Sequence, residues 1–150
     1  EELAKKYALA PYTMFIGSGA LWGETILFSM CILEEMQWKR TRYITSADFF
    51  HGTLELVEPG VPVFLFMGED ENRKLDERAR AFLTRGVTGD TDINIIDTAE
   101  FAIPGLDEEF RVIVSPWILS SLVTDRLAAY YETVTKHNLN YRRYYHQFDY

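Results

Sequence analysis

Two carboxylates and one imidazole are the residues of this chain whose types and settings suit proton transfer. Glu34 and Glu35 follow Phe28, Cys31 and Ile32 near the end of an apolar run, so at least one carboxylate is expected against apolar surface. A carboxyl group buried without an opposite charge holds its proton more tightly and becomes a capable general acid or base. The alternative is a frayed helix end with both acids in water. His51 sits in Phe49-Phe50-His51-Gly52, where an imidazole can serve as a general acid or base and a glycine admits close backbone approach. Its alternative is a core-edge histidine bonded to a backbone carbonyl.

Other chemistries find no support. Gly17-Ser18-Gly19 begins like a dinucleotide fingerprint, but Trp22 stands where the third glycine belongs, and no Gly-Lys-Ser/Thr follows for a phosphate loop. His51, His137 and His146 are scattered and Cys31 is alone, so no spacing offers a metal three or four ligands. Cys31 is read as a small buried hydrophobe rather than a nucleophile.

The elements that must position Glu35 and His51 alternate in type. A short helix over 1–10 is halted by Pro11. Strands are predicted over 12–16, 42–45, 61–67 and 93–97, from β-branched and aromatic runs bounded by turn residues. Between them the pattern predicts a long helix from Ala20 to about Lys39 and a brief one over 49–57, capped by Ser46-Ala47-Asp48. An amphipathic helix follows over 72–85, with Gly86 at its left-handed cap. A last helix begins at Ser115-Pro116 and runs to about Thr135, with 110–114 undecided. Strand-helix alternation of this kind implies right-handed crossovers and a three-layer α/β sandwich around a parallel sheet. In such sheets ligands gather outside the carboxyl ends of the strands, which directs attention to the loops at Gly17, Ser46 and Gly68.

At 150 residues and 47% hydrophobic composition the chain can bury one ordinary core. Charged residues make up 25% and the mean hydropathy is -0.14, outside the regime of bulk disorder. A net charge of -8 argues against a nucleic-acid partner. No uninterrupted apolar run reaches the ~18 residues of a membrane span, no secretory signal is visible, and the single Cys31 fits a reducing cytoplasmic setting. The start at Glu1, in helix-like Glu1-Glu2-Leu3-Ala4-Lys5-Lys6, suggests a piece of a longer protein. Four tyrosines, two arginines, a histidine and a phenylalanine crowd residues 138–150, a tail expected to dock on the 1–137 domain or on a partner.

Taken together, the strand, Gly17-Ser18-Gly19, the helix ending in Glu35, the next strand and Ser46-Ala47-Asp48-Phe49-Phe50-His51-Gly52 resemble the sugar isomerase (SIS) domain, and more narrowly its second copy in two-domain aldose-ketose enzymes. The resemblance covers most of the chain. In glucosamine-6-phosphate synthase a helix-end glutamate pairs with a histidine sixteen residues later in an acid-x-x-His-Gly-Pro motif. Glu35, Asp48, His51 and Gly52 fall in that register, whereas Glu34 is one residue off and faces about 100° away on an α-helix. The departures are Thr53 for proline, Ile32 for a lysine one turn before the glutamate, and a tail, Asn140 to Gln147, without the synthase's lysine. Glu-Glu-Met-Gln-Trp, Phe-Phe-His-Gly and Arg-Arg-Tyr-Tyr look more like the fructosamine-6-phosphate deglycases.

The resemblance implies a deglycase releasing glucose 6-phosphate and an amino acid from a 6-phosphorylated fructosyl amino acid, with Glu35 moving the C1 proton and His51 opening the ring. It implies no metal or cofactor, because the substrate's own nitrogen stabilises the intermediate. It also implies a homodimer in which His51 reaches the neighbouring subunit's site, and a phosphate loop in a preceding SIS domain, since no Ser/Thr-rich loop occurs here. The alternatives are an aldose-ketose isomerase of a hexose 6-phosphate and a sugar-phosphate sensor without catalysis.

Overall fold

Four short strands rich in Ile, Val, Phe and Thr pair in parallel in the order β2-β1-β3-β4, where β1 is Thr13–Gly17, β2 Thr41–Ile44, β3 Val63–Met67 and β4 Ile93–Asp97. The computed structural model describes every residue except Val87, Ala102 and Tyr150. Both central strands are buried along their whole length, so they read as unbroken apolar runs rather than as alternation, as a sheet covered on both faces requires.

Successive residues of β1 and β3 face opposite ways and build two cores. Phe15, Phe64 and Phe66 join Phe28 and Leu33 on one face, together with Leu119, Val123, Leu127 and Tyr131. Met14, Ile16, Val63, Leu65 and Met67 join Phe49, Ala79 and Leu83 on the other. The first face carries α1 (Glu2–Tyr7), α2 (Trp22–Ile26) with its π-helical continuation Leu27–Met36, and the helical run Glu108–Thr135. The second carries two 3₁₀ turns, Asp48–His51 and Thr53–Leu56, and α3 (Arg73–Leu83). The three-layer α/β sandwich expected from the sequence is the observed architecture.

Several local expectations are corrected. The helix after β1 ends at Met36 rather than near Lys39, and its second half winds as a π-helix. Trp38 closes it in the left-handed conformation, with φ 54°, while the Lys39 N–H reaches back to the Leu33 carbonyl at 2.8 Å. Ser46 caps nothing. The cap is Thr45, whose hydroxyl and Asp48 exchange bonds of 2.8 and 3.0 Å, and the segment that follows forms two 3₁₀ turns split at Gly52.

The last helix begins well before Ser115-Pro116. α4 spans Arg111–Ser120 with Pro116 inside it, continues through the π-helical segment Ser121–Leu127, and ends as α5, Ala128–Thr135. Pro116 has no N–H for the Val112 carbonyl, and the Ser115 hydroxyl takes that acceptor at 3.1 Å. By length and hydropathy Glu108–Thr135 is long enough to cross a membrane. One stripe of it, through Leu119, Val123, Leu127 and Tyr131, instead packs on the sheet, and Ile113 and Trp117 point outward.

Candidate active site

Glu35 and His51 are delivered to different places. Glu35 lies near the end of the π-helical segment, beside the start of β2, where its neighbour Glu34 accepts a 2.6 Å hydrogen bond from the Thr41 hydroxyl. His51 ends the turn after the carboxyl end of β2, with Phe49 anchored in the opposite core, and its ring is exposed. The sheet stands between the two side chains, so one chain does not bring them together. Gly52, expected to admit a close backbone approach, has open space around it; its φ of 131° is what requires glycine. Cys31 is half-buried rather than buried, and burial, with the Glu35 charge second, pushes its thiol up, which keeps it a thiol rather than a nucleophile.

An open cleft of about 1210 Å³ surrounds Glu34 and Glu35. Its floor is the end of the π-helix and the start of β2, and its roof is the C-terminal tail. Two helix ends set this geometry. Lys136 closes α5 in the left-handed conformation, φ 58°, as Trp38 does for the π-helix. The buried Gln37 side chain ties the two ends, donating to the His137 carbonyl at 2.7 Å and accepting from the Thr135 hydroxyl at 2.9 Å.

From there the tail turns back over the cleft. The Arg142 Nε lies 3.0 Å from Glu35 Oε1 as an ion pair, and the Arg143 guanidinium stacks 4.3 Å from the Trp38 ring centre. Lys39, Arg40, Arg142 and Arg143 line the cleft against Glu34 and Glu35, so a chain of net charge -8 presents here a locally positive surface that suits an anionic substrate. The sequence reading did not single out Trp38, Lys39, Arg40 or the two tail arginines as neighbours of Glu35. The signal available was the basic pair Lys39-Arg40 just past Glu35 and the pair Arg142-Arg143 in an otherwise aromatic tail.

At the carboxyl ends of the strands, where ligands were expected, several of the chain's own polar groups bond to one another. The Ser46 N–H donates to the Ser18 hydroxyl at 2.8 Å, and the Ser46 hydroxyl donates to buried Asp76 at 2.5 Å. The Gly68 N–H donates to the other Asp76 oxygen at 3.2 Å. Desolvation raises the Asp76 carboxyl, with the Ser46 and Gly68 bonds opposing it. At Gly19, in the left-handed region with φ 55°, the next N–H, that of Ala20, is taken by the Asp70 carboxylate. A carboxylate of the protein thus occupies the turn after β1. Among the described residues no group of three or more His, Cys, Asp and Glu could hold a metal.

Comparison with known proteins agrees with this architecture. The chain is 32% identical to fructosamine deglycase FrlB of Bacillus subtilis over 89% of its own length and 39% of that protein's. It is 37% identical to fructoselysine 6-phosphate deglycase of Escherichia coli over 75% of its length and 31% of that enzyme's. Its fold superposes on a Bacillus subtilis structure described as a phosphosugar isomerase with a TM-score of 0.87 and 29% identity, over 99% of this chain and 44% of that one. The chain is a homologue of the fructosamine deglycases and has the sugar isomerase fold. No protein-family model matches it. This SIS homologue spans about two fifths of the length of the curated deglycase it matches most extensively in that pair.

Proposed function

We propose that this chain is the second SIS domain of a two-domain deglycase that cleaves a 6-phosphorylated fructosyl amino acid with water, giving glucose 6-phosphate and the free amino acid. The observation that carries the reading is Glu35 in a positively lined cleft of a chain homologous to deglycases. In this reading the sugar ring opens with His51 as acid/base, and Glu35 removes the C1 proton. The C1–H electron pair becomes the C1–C2 double bond of an enaminol while the C2 carbonyl π pair moves to its oxygen, which takes a proton. A proton returned to C2 leaves an imine at C1, and water hydrolyses it, so that the amine departs and the aldehyde of glucose 6-phosphate forms. The work of the protein is proton transfer at carbon and oxygen, the kind of help that contributes ~10²- to 10⁴-fold in rate.

The separation of Glu35 from His51 across the sheet supports a site completed by a second subunit, in which His51 of one chain meets Glu35 of the other. The Asp70-filled turn supports a phosphate seat elsewhere, in an amino-terminal SIS domain. The test is an assay of the full-length protein with 6-phosphofructosyl amino acids, following glucose 6-phosphate and free amino acid. Both products from wild type, and neither from Glu35→Ala or His51→Ala, is the expected result. Aldose-ketose interconversion without amine release overturns the deglycase reading in favour of an isomerase. Binding without any product points to a sensor.

A further inference from the structure

We propose that Arg142 is the positioning residue for Glu35, fixing the carboxylate from the C-terminal tail so that one oxygen stays available to the cleft. The inference rests on Glu35 having the role assigned above. An ordinary surface ion pair is worth little, because two long side chains must be held in one geometry by the pair alone. Here the guanidinium is held by other bonds. Its Nη1 donates to the Leu139 carbonyl at 2.6 Å and to the Tyr141 carbonyl at 2.9 Å, while Nε faces Glu35 Oε1 at 3.0 Å. The turn that supplies those carbonyls is itself anchored: the Leu139 N–H donates to Glu132 at 3.0 Å, the Tyr141 N–H donates to the Asn138 carbonyl at 3.0 Å, and Leu139 packs against the core.

The closest approach of the ion pair is from Nε to Oε1, and among the described residues no hydrogen bond reaches Oε2. Arg142 is mostly buried, 19% exposed, and Glu35 more open, 32%. That is the arrangement of a fixed support and a carboxylate with one working face. Arginine suits the task because its planar fork divides between backbone acceptors and a carboxylate, which a single ammonium point charge does poorly. Arg142 touches Glu35 and is given no contact with reacting atoms, so it acts through Glu35.

The experiment compares full-length wild type with Glu35→Ala, Arg142→Ala, Arg142→Lys and the double variant Glu35→Ala/Arg142→Ala, on a 6-phosphofructosyl amino acid. Arg142→Ala is expected to lower kcat by ~10- to 100-fold with KM little changed, the scale of a misplaced reacting group. Added guanidinium recovers part of the loss, Arg142→Lys recovers less than half, and the double variant is no slower than Glu35→Ala. Should Arg142→Ala fail to fold, Arg142→Gln keeps amide donors for the carbonyls without the charge and carries the same comparison. If Glu35→Ala is inactive while the Arg142 variants keep kcat within twofold of wild type, or if the two losses multiply, the positioning role is overturned and the function stands. If Glu35→Ala is fully active, the functional reading itself falls.

Discussion

Glu35 and His51 of one chain lie on elements packed against opposite faces of the sheet: Glu35 follows Phe28 and Leu33, which pack with Phe15, and His51 follows Phe49, which packs with Ile16. In the proposed function a site that uses both residues draws them from two chains. In a two-fold dimer of that kind each site takes its glutamate from one subunit and its histidine from the other. Full-length Glu35→Ala and His51→Ala proteins, each inactive, should regain activity when unfolded and refolded together. Random pairing makes half the dimers mixed, each with one intact site, so recovery should approach about a quarter of wild type. Activity measured after co-refolding checks this, and no recovery at all would sink the shared site.

The buried Asp76 network is expected to dominate the stability of the carboxyl-end loops. Asp76→Ala leaves the Ser46 hydroxyl and the Gly68 N–H without their acceptor and should cost about 2 to 6 kcal/mol in urea unfolding, from ~1 to 3 kcal/mol per orphaned buried group. Because burial raises this carboxyl above its unfolded value, its contribution is fully present below the unfolded pKa of ~3.9 and is lost as pH rises through the native value. Asp76→Asn, which cannot ionise, should lose that part of the pH dependence.

The opposite sign holds at Asp97. Its carboxyl is held below the usual carboxylate range, first by the Arg73 hydrogen bonds at 2.9 and 2.6 Å, with burial opposing. Here the stabilisation is present above the unfolded pKa of ~3.9 and is lost as pH falls through the lower native value. Arg73→Ala should destabilise by about 1.5 to 3 kcal/mol at neutral pH, the scale of hydrogen bonds to a charged group, since the Arg73 end of the pair is part-exposed. The gap from wild type should close below about pH 4. Denaturation midpoints across pH 3 to 7 decide it; a gap independent of pH would show that the pair contributes packing rather than charge.

Gly19 is required for both its conformation and its space. A Cβ there would meet the Asp70 carboxylate, and φ is 55°. Gly19→Ala should destabilise by at least 1 to 2 kcal/mol, roughly the left-handed penalty alone. It should also displace Asp70 from the Ala20 N–H, which the amide's hydrogen exchange would report.

What the sequence determined by itself is what local periodicity can carry. The apolar runs of β1 and β3, the amphipathic spacing of α3 and the alternation of strand with helix fix the α/β class, because each depends on residues only a few positions apart. The sixteen-residue interval from Glu35 to His51 carried meaning only through the resemblance to the sugar isomerase domain. Boundaries failed where a local rule met a longer-range competitor. Ser46 looked like a cap but donates to Asp76, 30 residues on, and Pro116 looked like a helix start although the Ser115 hydroxyl lets the helix pass through it.

Only the tertiary structure decided that the elements carrying Glu35 and His51 pack on opposite faces of the sheet, that Ser46 and Gly68 bond to Asp76, and that the cleft around Glu35 lies at the amino end of β2. It also decided that Arg142, more than a hundred residues from Glu35, lies beside it. Such contacts depend on the order in which strands join the sheet and on two helices ending side by side at Trp38 and Lys136. No local pattern encodes that meeting, since the Gln37 bonds that hold it span about a hundred residues and exist only once both helices have packed.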